Sequence, residues 1–299
     1  MPLFRRSTTD AIADQLDEIR QACVAHQLSN RQRDQWDSNG WLVLESLLDL
    51  ETVAELSTWV DEVAGWADTG GPGLHHHEQT DTGPTIARSE RFADDHTGLA
   101  AFVRGNEIGD VLAALFGEPA TLFKEKVNYK HPGGAGFASH QDATAYRFVD
   151  HHISAMVPLD IASEASGCLS FAPGHRRGQL PTDERGRIAE AAVSALSWAP
   201  VEANPGDVVF FDSYAPHRSG TNETDHPRRA LYLTYNAASR GDFRATYYAD
   251  KEAEFAREGE QFEGQRVRIS ISDDFLGRPV SPHRQRRGGD AETTAADRA

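Results

Sequence analysis

The sequence predicts a mainly β domain, a sandwich or barrel of short strands with helices packed on its outside. Three observations predict it. The first part of the chain carries apolar residues at helical spacing. From Thr121 onward it breaks into short segments rich in β-branched and aromatic residues, separated by Gly, Pro and Asp. No repeat or linker composition divides the 299 residues, so one domain is the simplest reading.

Taken in order, residues 1–30 read as an amphipathic helix, with Ile12, Leu16, Ile19 and Cys23 three or four positions apart. Asn39-Gly40 is a turn pair, and the apolar run Trp41–Leu44 after it suits a strand. Asp49 or Leu50 opens a helix that puts Val53, Leu56, Trp59, Val60 and Val63 on one face. Residues 68–84 are rich in Gly, Asp and His and read as a long loop; His75, His76 and His77 fit a solvated stretch better than an extra metal site. Residues 98–117 read as one or two helices closed by Gly117. Strands are expected over 121–130, 151–161, 168–173, 196–203, 207–214 and 229–239. The polar tail from Gly277 reads as disordered. These boundaries give an N-terminal helical extension over 1–34, one domain over 35–276 and a tail over 277–299.

Composition narrows the function. There are 30 Lys+Arg against 46 Asp+Glu, a net charge of −16. General nucleic-acid binding needs clustered cations and is excluded as an expectation. No apolar run reaches about eighteen residues, so no membrane span is expected. The first residues lack the apolar segment of a secretory signal, and the two cysteines, Cys23 and Cys168, form no CxxC; both point to a reducing cytoplasm. Oligomeric state is not legible.

The chemistry concentrates in a few residues. His140 and Asp142 stand at i and i+2; on an extended strand they face one side and can grip one metal. His217 follows 75 residues after Asp142, just past an apolar strand. Two imidazoles and one carboxylate on one face of an octahedron leave three open positions, the ligand set of non-haem Fe(II) oxygenases. Eleven residues beyond His217 stands Arg228. An arginine there can hold one end of a dicarboxylate by a bidentate fork while the other end chelates the metal, which points to 2-oxoglutarate. Arg229 faces the other way on a strand and takes that place only if the register slips by one.

These residues, with Gly40–Leu44 before a helix and SGCLSFAPGHRRG at 166–178, resemble the phytanoyl-CoA dioxygenase family of Fe(II)/2-oxoglutarate-dependent oxygenases over roughly residues 35–250. The serine usual before the histidine of that second segment is absent, since Gly174 runs straight into His175. The resemblance implies a mainly β fold with α-helices: a double-stranded β-helix, or jelly roll, with N-terminal and covering helices. It implies Fe(II) on His140, Asp142 and His217, 2-oxoglutarate as cosubstrate on Arg228, and O2 as oxidant. It also implies that Ser219 supplies a hydroxyl to the same carboxylate and that Gln141 belongs to the cosubstrate site. The reaction implied is hydroxylation of a C–H bond with release of succinate and CO2. Asp142 argues against halogenation, because related halogenases carry a small residue in its place.

For the substrate, Lys124, Lys126 and Asn128 stand at i, i+2 and i+4 of one expected strand, all on one face. That face either meets the metal cavity and holds an anion, or is an edge strand guarded by lysines. Tyr146 is a further pocket candidate, with Arg147, Tyr129 and the Arg88–Phe92 segment. The stretches around 123–143 and 232–251 resemble a subgroup that hydroxylates small phosphonates such as 2-aminoethylphosphonate. An amino acid or a natural-product scaffold stays open as substrate, as does a non-catalytic jelly roll that keeps its metal as a sensor or binding protein.

Overall fold

The structure, a computed structural model, describes residues 28–80, 83–145, 148–175, 178–184, 186–261 and 279–280. The helix expected over 1–30 and most of the tail lie outside the described residues.

Helix α1 (Asn30–Asn39) starts at a capping box, with Ser29 and Gln32 bonding each other's backbone N–H, and ends at Gly40 in the left-handed region (φ 84°). That turn sends the chain into β1 (Trp41–Leu44). Helix α2 (Leu50–Thr69) opens at Asp49, whose carboxylate accepts the Thr52 N–H at 2.7 Å. It buries Val53, Leu56, Val60 and Val63 along one stripe, each contributing roughly 1.5–3 kcal/mol.

The stretch expected to be a long loop instead contains strands: β2 (Leu74–Thr80) and β3 (Gly83–Glu90) pair as an antiparallel hairpin. His75–His77 therefore lie on a strand. His75 bonds Ser89 Oγ and the Pro72 carbonyl, both at 2.9 Å. The segment after β3 forms two helices, α3 (Thr97–Val103) and α4 (Asn106–Phe116), the second closed by Gly117.

The remaining strands are β4 (Ala120–Lys130), β5 (Gly136–His140), β6 (Ile153–Pro158), β7 (Leu169–Phe171), β8 (Ala199–Val201), β9 (Val208–Asp212), β10 (His217–Ser219) and β11 (Arg228–Ala237). A short helix, α5 (Glu190–Val193), precedes β8; α6 (Arg244–Gln261) and the two-residue β12 (Pro279–Val280) follow β11. Two antiparallel sheets result, ordered β1-β9-β6-β11-β4-β3-β2 and β12-β5-β10-β7-β8.

This is the jelly-roll arrangement of helix-covered facing sheets. Alternation along the strands sets the two sides of the larger sheet. Leu231, Leu233 and Tyr235 of β11 join the core under α2, α3 and α4, whereas Ala230 and Tyr232 pack with Phe171, Val209 and Phe211 between the sheets. Helix α6 is held to β4 by a buried ion pair, Arg244 Nε donating to Glu125 Oε2 at 2.9 Å.

Candidate metal centre and active site

The smaller sheet assembles the centre. His140 ends β5 and His217 begins β10, and the two are register partners in the antiparallel pair. Asp142 is not on the strand, as the sequence spacing suggested; it opens a one-turn 3-10 helix, Asp142–Ala145. That turn still brings its carboxylate Oδ1 to 3.7 Å from His140 Nε2. One ligand atom from each of the three side chains lies within 4.8 Å of the others, and all three residues are buried. Among the described residues this is the one such group.

Each imidazole is oriented by its own backbone. His140 Nδ1 lies 2.7 Å from the Ala138 carbonyl, and His217 Nδ1 lies 3.0 Å from the Ala215 carbonyl. A carbonyl only accepts, so both Nδ1 atoms carry the hydrogen and both Nε2 lone pairs stay available to a metal. Burial, helped by the His217 charge, pushes His140 down to about 3. Burial likewise lowers His217. Burial works against ionisation of Asp142, but His217, Lys124 and His140 outweigh it and hold the carboxyl far below its ordinary range. Two neutral imidazoles and one carboxylate are intermediate-to-hard donors that fit Fe(II).

Arg228 starts β11 opposite Lys130 on β4 and is 2% exposed. Its Nε and Nη1 are buried with no hydrogen-bond partner among the described residues. Two buried guanidinium nitrogens left without acceptors are costly, so this side chain fits a carboxylate brought in from outside. Ser219, two residues after His217 and on the same face of β10, lines the cavity beside the metal group. Arg229 turns outward, as alternation requires, and grips Asp160 with Nε at 3.0 Å and Nη2 at 2.9 Å.

Gln141 does not reach into the site. It is fully buried, its Nε2 donates to the Gly178 and Tyr214 carbonyls at 2.7 and 2.6 Å, and its Oε1 accepts the Leu180 N–H at 2.7 Å. The amide ties the metal strand to two loops and is not free for a cosubstrate.

On β4, Lys124, Lys126, Asn128 and Lys130 share the inner face, opposite Thr234, Tyr232, Ala230 and Arg228 of β11. β4 lies between β11 and β3, so the edge-strand reading of these lysines falls. Lys126 and Asn128 line the cavity with His140, Asp142 and His217. The Lys126 ammonium sits 5.2 Å above the Tyr232 ring; burial, with the Arg88 and Lys124 charges, pushes its pKa well below the ordinary lysine value. Lys124 is buried against the Tyr247 ring at 5.6 Å.

Of the other pocket candidates, Arg88 faces inward and donates from Nε to Asn128 Oδ1 at 3.2 Å. Tyr129 and Phe92 pack on the helix side, and Tyr146 and Arg147 lie outside the described residues. Glu90 falls within the segment the sequence singled out, but its partner Lys251 was missed. Glu90 accepts from Arg88 Nη1 at 3.2 Å and from Lys251 Nζ at 2.6 Å, which locks the Arg88 side of the wall. Sequence reasoning also missed Lys130, although the series 124, 126, 128 continues to it. A larger cavity, about 300 Å³, lies between α3, α4 and the ends of β4 and β11, lined by Arg104, Leu112, Tyr235 and Arg244 and remote from the metal group.

Comparison with known proteins gives a consistent picture. The family profile described as Phytanoyl-CoA dioxygenase (PhyH) matches residues 36–230. The chain is 44% identical over 254 residues to methylphosphonate hydroxylase of Gimesia maris, covering 85% of this chain and 97% of that protein. It is 38% identical over 257 residues to 2-aminoethylphosphonate dioxygenase of an uncultured bacterium, covering 84% and 98%. In fold it is similar to crystalline EctD from S. alaskensis with 2-oxoglutarate and 5-hydroxyectoine, with a TM-score of 0.62 at 24% identity over 73% of this chain and 81% of that one.

Proposed function

Because the chain belongs to the phytanoyl-CoA dioxygenase family, we propose that it hydroxylates a C–H bond of a small phosphonate, the anion held by the inner face of β4. It is an Fe(II)- and 2-oxoglutarate-dependent dioxygenase. The observation that carries the substrate class is the position of Lys126 and Asn128 on the cavity wall that also holds His140, Asp142 and His217. A phosphonate dianion is a strong acceptor, and lysine meets it as a point charge. Lys124, buried behind Lys126 on the same face, adds to a local positive field inside a protein whose net charge is −16. The named relatives support the same class, since two of them act on methylphosphonate and 2-aminoethylphosphonate.

His140, Asp142 and His217 are the proposed iron ligands, and Arg228 with Ser219 the proposed seat of the distal carboxylate of 2-oxoglutarate. Fe(II), when bound, supplies the activation of O2. The overall change balances as R–H plus O2 plus 2-oxoglutarate giving R–OH, succinate and CO2. Two electrons come from the C–H bond and two from the oxidative decarboxylation. The chain's own part is positioning. It holds both imidazoles neutral with Nε2 inward, keeps Asp142 ionised, and pins the reacting C–H near the metal by its anionic neighbour. We take residues 35–276 as the catalytic domain. No described helix is long and apolar enough to cross a membrane.

The test is succinate release under air with Fe(II), ascorbate and 2-oxoglutarate, across phosphonates, amino acids, ectoine and acyl-CoAs. Stimulation by a small phosphonate, with a product one oxygen heavier by mass spectrometry, is expected. Stimulation only by a compound lacking phosphorus would overturn the substrate class. Iron-loaded protein that makes no succinate with any of them would return the chain to a binding role.

A further inference from the structure

We infer that Lys130 is a positioning residue for the cosubstrate: it forces the Ser219 hydroxyl to donate to the carboxylate that Arg228 holds. This rests on the proposed role of Arg228. Lys130 is the last residue of β4, the register partner of Arg228, and buried. Its Nζ donates to the Gly220 carbonyl at 2.6 Å, to Ser219 Oγ at 2.9 Å and to the Gly167 carbonyl at 3.2 Å. The cradle depends on close backbone approach: Gly167 has φ +71°, and a Cβ there would fall 2.4 Å from the Gly220 oxygen.

An ammonium has three hydrogens and no lone pair, so the Lys130–Ser219 bond has only one polarity. Ser219 Oγ also receives the Phe137 N–H at 3.3 Å. A hydroxyl has two acceptor lone pairs and one hydrogen. With both lone pairs engaged, the Ser219 hydrogen must be given to a third group. Ser219 lines the cavity of the His140, Asp142 and His217 group, and Arg228, the register partner of Lys130, has two buried N–H-bearing atoms without partners among the described residues. With Arg228 in its proposed role, the carboxylate meets two donors of fixed direction, the guanidinium and a hydroxyl that cannot rotate into an acceptor. Lys130 thus makes the site selective for a 2-oxo acid with a second carboxylate.

The test is anaerobic titration of the full-length Fe(II) protein with 2-oxoglutarate and with 2-oxopentanoate, which has the same chain length but no distal carboxylate. Chelation is read from its charge-transfer absorbance. Lys130→Met and Ser219→Ala are each expected to raise the Kd for 2-oxoglutarate about tenfold or more, and to leave that for 2-oxopentanoate within about twofold. The double variant should bind 2-oxoglutarate no more weakly than the weaker single variant, because Lys130 acts through Ser219. Equal weakening of both acids, additive losses, or an unchanged Ser219→Ala would each overturn the inference. If Lys130→Met fails to fold, Lys130→Gln, which keeps an N–H for Ser219, should lose less than Ser219→Ala; a larger loss, confined to 2-oxoglutarate, would overturn it. Arg228→Ala separates the layers: an unchanged 2-oxoglutarate Kd there would remove the underlying carboxylate assignment, whereas the substrate panel tests the phosphonate reading independently.

Discussion

His140 and His217 face each other as a register pair across β5 and β10, their ring centroids 4.2 Å apart, with each Nδ1 tied to a carbonyl two residues earlier in its own chain. The pairing makes the metal group a property of the sheet and not of a mobile loop. Strand register holds the two Nε2 atoms, and only Asp142 is supplied from a turn.

Asp142→Ala and His217→Ala are therefore expected to abolish succinate formation, by at least about a hundredfold, through loss of metal affinity. Iron content after gel filtration and succinate yield check this together. Wild-type turnover in Asp142→Ala would remove the carboxylate from the ligand set.

Arg228 leads to an opposite pair of expectations for stability. Without cosubstrate its buried Nε and Nη1 have no partner among the described residues, so Arg228→Met should melt no lower than the wild type when neither holds ligand. Saturating 2-oxoglutarate with Fe(II) should raise the melting temperature of the wild type and leave that of the variant nearly unchanged. Thermal melts with and without the cosubstrate decide it.

Lys126→Ala should raise the KM for the phosphonate about tenfold or more while the 2-oxoglutarate Kd stays within about twofold. Burial and the Arg88 and Lys124 charges lower the Lys126 pKa in the free protein, and a bound dianion favours the protonated form. Substrate binding then takes up a proton at this site, and wild-type affinity should fall as pH rises more steeply than that of Lys126→Ala. Calorimetry in buffers of different ionisation enthalpy measures the proton count.

His152 sets a pH dependence of stability. It is fully buried, and burial with the Lys124 charge pushes it down to about 3 from an ordinary 6.5. The unfolded chain takes up a proton below 6.5 and the folded one does not. Stability from this group is complete above pH 6.5 and is lost as pH falls toward 3, at on the order of 1.4 kcal/mol per pH unit. His152→Gln should flatten that decline, as read from urea midpoints between about pH 7 and pH 4.

Gln141→Ala is expected to cost about 2 kcal/mol or more of stability, because it removes the amide that satisfies two carbonyls and one N–H. Its effect on the 2-oxoglutarate Kd should be small beside that of Arg228→Ala. A large and selective loss of cosubstrate binding would restore Gln141 to the site.

The sequence by itself determined the long helix opened by Asp49, the helices closed by Gly117, most of the strands, the spacing of His140, Asp142 and His217, and the opposite facing of Arg228 and Arg229; the helix Asn30–Asn39 and the helix Arg244–Gln261 escaped it. It also determined that Lys124, Lys126 and Asn128 share a face. These follow from local backbone preference and from the two-residue period of a strand, which a short stretch of chain carries within itself. Only the tertiary structure decided the rest. The hairpin of β2 and β3 was hidden because its polar, histidine-rich residues gain their strand geometry by pairing, β2 with β3 and β3 in turn with β4, not from intrinsic preference. Asp142 left the strand for a 3-10 turn, and Gln141 turned toward two loops. The partners of the buried charges were equally out of reach: Lys251 meets Glu90 across 161 residues, and Lys130 meets Ser219 across 89. A buried charge must find a partner wherever packing brings one, and that choice depends on which strands become neighbours.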